Sequence, residues 1–124
     1  MATAFAPVLV ESLGKLTLIH VLGELDISNH LEFSEALDSA ANRATGPIII
    51  AFVECSYIDT SGLTALVSGH RKYGKRMHVI VPPESNIHKI FQTTGLHRVL
   101  VVHDDFRTAI ADASAQLQRQ PVMA

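Results

Sequence analysis

Apolar residues recur along the chain in two rhythms, every second position and every third or fourth, and the rhythm switches repeatedly. Residues 8–13 and 16–22 are β-rich runs joined at Gly14-Lys15. A two-residue connection containing glycine predicts an antiparallel hairpin. In the second run both alternating faces are largely apolar, with Leu16, Leu18 and Leu22 on one and Ile19 and Val21 on the other. That suits a strand covered on both sides. Asn29 opens a helix, with Glu32 at capping-box spacing and Leu31, Leu37, Ala40 and Ala41 at helical intervals. Residues 48–53 form a continuous, largely β-branched run, the pattern of a central strand buried on both faces.

Leu63, Leu66, Val67 and His70 follow at i, i+3, i+4 and i+7, one face of a second helix, with Gly74 as its stop and Arg71 and Lys72 suiting its C-terminus. Residues 77–81 read as a buried strand broken by Pro82-Pro83. Ile87, Ile90 and Phe91 share one side of a short helix that Gly95 ends, and residues 99–102 read as the last strand. Asp104 or Asp105 caps a final helix whose inner face is Phe106, Ala109, Ile110, Ala113 and Leu117. The order β-β-α-β-α-β-α-β-α predicts an α/β fold. Its sheet is mixed and mainly parallel, with an N-terminal β-hairpin and about four helices. The expectation is a single domain over residues 1–124, with a core from about 8 to 117 and a frayed tail at 119–124.

Composition narrows the function. Apolar residues make up 48% and charged residues 18%, the balance of a folded globular chain. A formal charge of −2 gives no electrostatic case for direct binding of nucleic acid. No apolar run approaches the roughly 18 residues a membrane span needs, so no membrane insertion is expected. The opening MATAFAPVLVES lacks the charged and apolar regions of a signal peptide, and Cys55 is the only cysteine. Both agree with a cytoplasmic location.

Function in an open α/β sheet gathers at the carboxyl ends of the strands. Two loops stand out there: GELDIS (residues 23–28) and YIDTSGL (residues 57–63). If the strands before them are neighbours, Asp26 and Ser61 approach one another. Ser61 falls at a helix start, where unpartnered N–H groups and the macrodipole favour an anion. A phosphate there would carry about −1.5 to −2 charges, and Gly62 leaves room for a bulky oxyanion. Asp59 and Asp26 would repel that phosphate, so modification would turn the surface strongly acidic. The plainer reading is that Asp59, Thr60 and Ser61 are favoured N-cap residues and nothing more.

GELD closing the second strand, the apolar third strand, IDTSGL, a helix and TTGL (residues 93–96) together resemble a STAS domain. More narrowly, they resemble the bacterial anti-sigma-factor antagonists. The resemblance runs from about residue 8 to residue 117. It implies that the residue directly before the glycine, Ser61, is phosphorylated. Asp26, Asp59, Thr60, Gly62 and Leu63 would then make up the switch loop and partner-binding surface. It also implies a partner, an anti-sigma factor that is an ATP-dependent serine kinase. The unmodified antagonist binds that kinase and frees a sigma factor, phosphorylation releases the antagonist, and a phosphatase restores it. No cofactor, metal or catalytic residue is implied. Many relatives have glycine after SGL, where this chain has Thr64. The family also contains domains fused to anion transporters and scaffolds of stress complexes, so a non-catalytic scaffold or sensor-coupling module is the second reading. A small enzyme using Asp26 and Ser61 is the third.

The other features read more plainly. Seven histidines form no H-x-H or H-E-x-x-H pair, so scattered surface or core histidines are expected. HRKYGKR (residues 70–76) reads as a solvated helix end, with docking of an acidic partner as the alternative. Cys55 reads as a small buried core thiol. No phosphate-binding G-x-x-x-x-G-K-[ST] loop and no G-x-S-x-G elbow are present.

Overall fold

The expected hairpin forms with β2 (Val8–Leu13) and β3 (Leu16–Val21), where Leu13 pairs with Leu16 and Gly14 takes φ +60° at the turn. That left-handed value suits glycine. The computed structural model describes residues 3–5 and 7–119. A six-stranded sheet runs in the order β1-β2-β3-β5-β7-β8, with β1 at Thr3–Phe5, β5 at Ile48–Ala51, β7 at Met77–Ile80 and β8 at Val101–His103. The first two pairings are antiparallel and the other three parallel, so the sheet is mixed and mainly parallel as expected. Among the described residues four α-helices accompany it: α1 (His30–Arg43), α2 (Thr60–Tyr73), α3 (Asn86–Thr94) and α4 (Phe106–Arg119).

The alternating side chains of β5 explain its two-sided burial. Ile48 and Ile50 join Val8, Ile19, Val79, Phe33, Leu66 and Phe91 in the larger core, under α1, α2 and α3. Ile49 and Ala51 join Leu16, Leu18, Ile80, Ala109 and Ala113 in a smaller core under α4. Burying one aliphatic side chain contributes about 1.5–3 kcal/mol, so the run from Ile48 to Ala51 is the spine of the molecule.

Several sequence expectations shift. β5 stops at Ala51; Val53 lies in an exposed turn. β3 stops at Val21, and the Leu22 amide bonds the Pro7 carbonyl instead. The last strand begins at Val101, since a 3-10 turn occupies Leu96–Arg98. In α1 the buried stripe is Phe33, Leu37, Ala40 and Ala41; Leu31 is 65% exposed. The Asn29–Glu32 capping box does not form. In α2 the buried stripe is Gly62, Ala65, Leu66 and Gly69, with Leu63, Val67 and His70 only half-buried. Asp105 is the acid that caps α4, accepting the Thr108 amide at 2.8 Å. Arg119 is the last residue of that helix, and residues 120–124 of the expected tail lie outside the described residues.

The basic stretch 70–76 is largely consumed by the fold. Arg76 donates to the carbonyls of Ala41, Ala44 and Gly46 at the end of α1. The Ala41 and Ala44 carbonyls are groups a helix C-terminus leaves unpartnered. Lys72 pairs with Asp38 at 3.3 Å, and the Tyr73 hydroxyl donates to the same carboxylate.

Candidate functional site

Two short strands outside the main sheet build the site. β4 (Gly23–Leu25) and β6 (Cys55–Ile58) pair in parallel, with Leu25 opposite Ile58. A bulge shifts the register between Gly23 and Glu24, but beyond it Glu24 pairs with Tyr57 and Leu25 with Ile58, so the two strands release their following loops side by side. The loop carrying Asp26 therefore lies beside the loop carrying Asp59, tied to it by the Ile27 amide, while Asp26 is not among the residues lining the Ser61 cleft.

Asp59 is the junction. One carboxylate oxygen accepts the Gly62 amide at 3.1 Å and caps α2, and the other accepts the Ile27 amide at 3.1 Å from the neighbouring loop. Its own amide bonds the Leu25 carbonyl. Asp26 serves its own turn. Its carboxylate accepts the Ser28 amide at 2.9 Å and the Ser28 hydroxyl, and its carbonyl accepts the His30 amide at 2.9 Å. Asn29 locks this turn from the other side, accepting the Asp26 amide and donating to the Glu24 carbonyl at 2.8 Å.

The cap on α2 is thus Asp59. Thr60 begins the helix and is exposed; Ser61 is its second residue and half-buried. Ser61 lines an open cleft of about 360 Å³ between α1 and α2, together with His30, Ser34, Thr60, Thr64, Ala65 and Ser68. Leu63 faces the other flank. It lines a second open cleft of about 340 Å³ with Val67, Arg71, Thr94 and Leu96. Thr60, Thr64 and Ser68 border both clefts and form an exposed hydroxyl ridge. Thr64 also returns a hydrogen bond to the Thr60 carbonyl at 2.8 Å.

Gly62 differs from expectation. Its missing side chain points inward, not toward an incoming oxyanion. A Cβ there would lie 2.6 Å from Ile58 Cγ1 and 2.8 Å from the Leu25 carbonyl oxygen. The glycine lets the first turn of α2 press onto β4 and β6. Cys55, on β6, is buried, and burial pushes its thiol pKa up, so it is a packing residue and a poor nucleophile.

Sequence reading missed part of this surface. Ile27 is 71% exposed beside the Asp59 junction, and Leu31 lies exposed on the first turn of α1. His30 and Ser34 complete the Ser61 cleft from α1; their spacing of four residues was the available signal. The histidines are not all scattered either: His78 and His103 meet under α4. Among the described residues no helix is long and apolar enough to cross a membrane.

A family model described as "Mlab, STAS domain" matches residues 8–103. Solved structures share the fold at low identity. An anti-sigma factor antagonist from Mycobacterium paratuberculosis is 19% identical with a TM-score of 0.77, over 86% of this chain and 92% of that one. The Bacillus cell fate determinant SpoIIAA in its phosphorylated form is 23% identical with a TM-score of 0.61, over 85% and 97%. A sulfate transporter family protein from Wolinella succinogenes is 17% identical with a TM-score of 0.71, over 87% and 93%. No curated protein sequence matches. With the family model spanning most of the chain and this sheet, helix and loop arrangement beneath it, the protein belongs to the STAS domain family.

Proposed function

We propose that the chain is an anti-sigma-factor antagonist. It is a non-catalytic, cytoplasmic module that, unphosphorylated, docks on an anti-sigma-factor serine kinase through the ends of α1 and α2. Phosphorylation of Ser61 releases it, and a phosphatase resets it. The observation that carries this reading is the division of labour at the start of α2. Asp59 supplies the cap, so the helix does not depend on the Ser61 hydroxyl, which is left at the wall of an open cleft. The fold shared with an antagonist and with a phosphorylated SpoIIAA supports it.

The electrostatics follow from the geometry. A phosphate at Ser61 would sit against the first N–H groups of α2, where a helix end favours an anion by about 0.3–2 kcal/mol. Asp59, two residues away, and Asp26, in the adjoining loop, would repel it. The fold tolerates the charge while the docking surface becomes acidic. A loss of about 2.8 kcal/mol in binding is a hundredfold in affinity, so repulsion of that size makes a switch without a change of fold. Thr60, Leu63 and the exposed Ile27 and Leu31 would frame the docking surface.

Incubation with the cognate kinase and ATP, read by intact mass and peptide mapping, tests the assignment. One phosphate on Ser61 is expected; no shift, or a phosphate mapped away from Thr60 and Ser61, removes the reading. Ser61→Ala should keep kinase binding and Ser61→Glu should weaken it. Equal affinities in calorimetry would contradict the electrostatic mechanism. The likeness to the Wolinella transporter-family protein favours a second reading, a constitutive scaffold of a transport complex. Recovery of such a complex without a kinase, in pull-downs from the native cell, would replace the first reading with this one.

A further inference from the structure

We propose that His78, His103 and Asp112 form a zinc site that fastens α4 to the β7–β8 edge of the sheet, on the face opposite the Ser61 cleft. His78 and His103 are 3% and 8% exposed and lie on adjacent parallel strands. His103 pairs with Ile80, two residues beyond His78, so the alternation of side chains puts both rings on one face. Asp112 reaches them from α4, with 44% of its side chain open to solvent.

The donor spacing comes within about 0.2 Å of what a tetrahedral ion needs. His78 Nδ1 and His103 Nε2 are 3.1 Å apart, and Asp112 Oδ2 is 3.6 Å from each. A tetrahedron with bonds of about 2.0–2.2 Å places its donors about 3.3–3.6 Å apart. Both Asp112 contacts match that range and exceed the about 2.8–3.1 Å of octahedral neighbours, while the two histidine nitrogens, at 3.1 Å, would have to part by about 0.2 Å to take a tetrahedral ion. Two imidazoles and a carboxylate are a recurrent donor set for zinc, with a fourth position left for water. The half-exposed side at Asp112 gives that position its access.

The surroundings aim the lone pairs. Gln116 donates its amide nitrogen to the Lys75 carbonyl at 2.9 Å, which turns its oxygen toward His78 Nε2 at 2.7 Å. An amide oxygen only accepts, so Nε2 carries the hydrogen and the Nδ1 lone pair faces His103 and Asp112. This is the outer hydrogen bond that orients a metal-bound histidine. Without an ion, His103 Nε2–H can donate to His78 Nδ1; on binding, that hydrogen moves to His103 Nδ1 and both rings stay neutral.

The test is calorimetric titration of the full chain with Zn²⁺ in a non-coordinating buffer, with thermal unfolding alongside. One ion per chain and a raised Tm are expected. Asp112→Asn, at a half-exposed position, should keep the fold and weaken binding at least tenfold. Gln116→Ala leaves all three ligands in place and should weaken it about 10–100-fold. His88→Gln, on α3, should change nothing. Co²⁺ should give the intense visible absorption of a tetrahedral centre. No zinc binding, binding that survives Asp112→Asn, or loss on His88→Gln overturns the site. The proposal does not rest on the Ser61 switch.

Discussion

One carboxylate, that of Asp59, satisfies an amide in the first turn of α2 and another from the neighbouring loop. Asp59→Ala should therefore cost about 1–2 kcal/mol for the lost cap, with a further loss from freeing the Ile27 amide, both read in urea unfolding. Gly62→Ala should cost about 1–3 kcal/mol, because one neighbour of the new methyl is the Leu25 carbonyl oxygen, which is backbone and cannot swing aside. Ser61→Ala should stay within about 0.5 kcal/mol of the parent. A cap-only role for Ser61 would make this third substitution resemble the first. Cys55 should alkylate more slowly than free cysteine in the native protein and at the ordinary rate in urea, since burial raises its pKa and hides its sulfur. Asp59, Thr60, Ser61 and Gly62 were all legible in the sequence as a motif. What the glycine does was not, because a motif does not reveal which way the first turn of a helix faces.

At the scale of the element, helix phase is the recurring lesson. Phe33, Leu37, Ala40 and Ala41 stand at i, i+4, i+7 and i+8, a clean stripe. Leu31 precedes Phe33 by two residues, about 200° around the helix axis. Its hydrophobicity put it in the stripe in place of Phe33, while Leu37, Ala40 and Ala41 stand where the periodicity placed them. Phe33→Ala should accordingly cost about 3–5 kcal/mol, and Leu31→Ser about 0.5 kcal/mol or less, measured by denaturant midpoints. If the proposed docking surface is right, Leu31→Ser should still weaken kinase binding. In α2 the same displacement occurs by one residue. The small residues Gly62, Ala65 and Gly69 carry the inner face because α1 and the sheet approach so closely; a Cβ at Gly69 would meet Leu37 at 2.5 Å. Apolar periodicity finds large residues and overlooks an interface made of small ones.

At the scale of the molecule, the order of elements along the chain and the mixed, mainly parallel character of the sheet were readable. The long β-branched run, the hairpin glycine and the regular alternation with helices carried both. β1, and the pairing of β4 with β6, were not, since segments of three or four residues are shorter than any period they could display. Native-state hydrogen exchange should be slowest in β3, β5 and β7, which are covered on both faces, and faster in β1 and β8 at the margins. The pairing of β4 with β6 has a further effect through Asp59. A phosphate on Ser61 would compete with that carboxylate for the amide of Gly62, and any slackening would be handed at once to Ile27. The edge would then lose the steady presentation of an apolar contact in the same stroke that it gained charge. In an NMR spectrum the two amide resonances, far apart in sequence, would move as a couple.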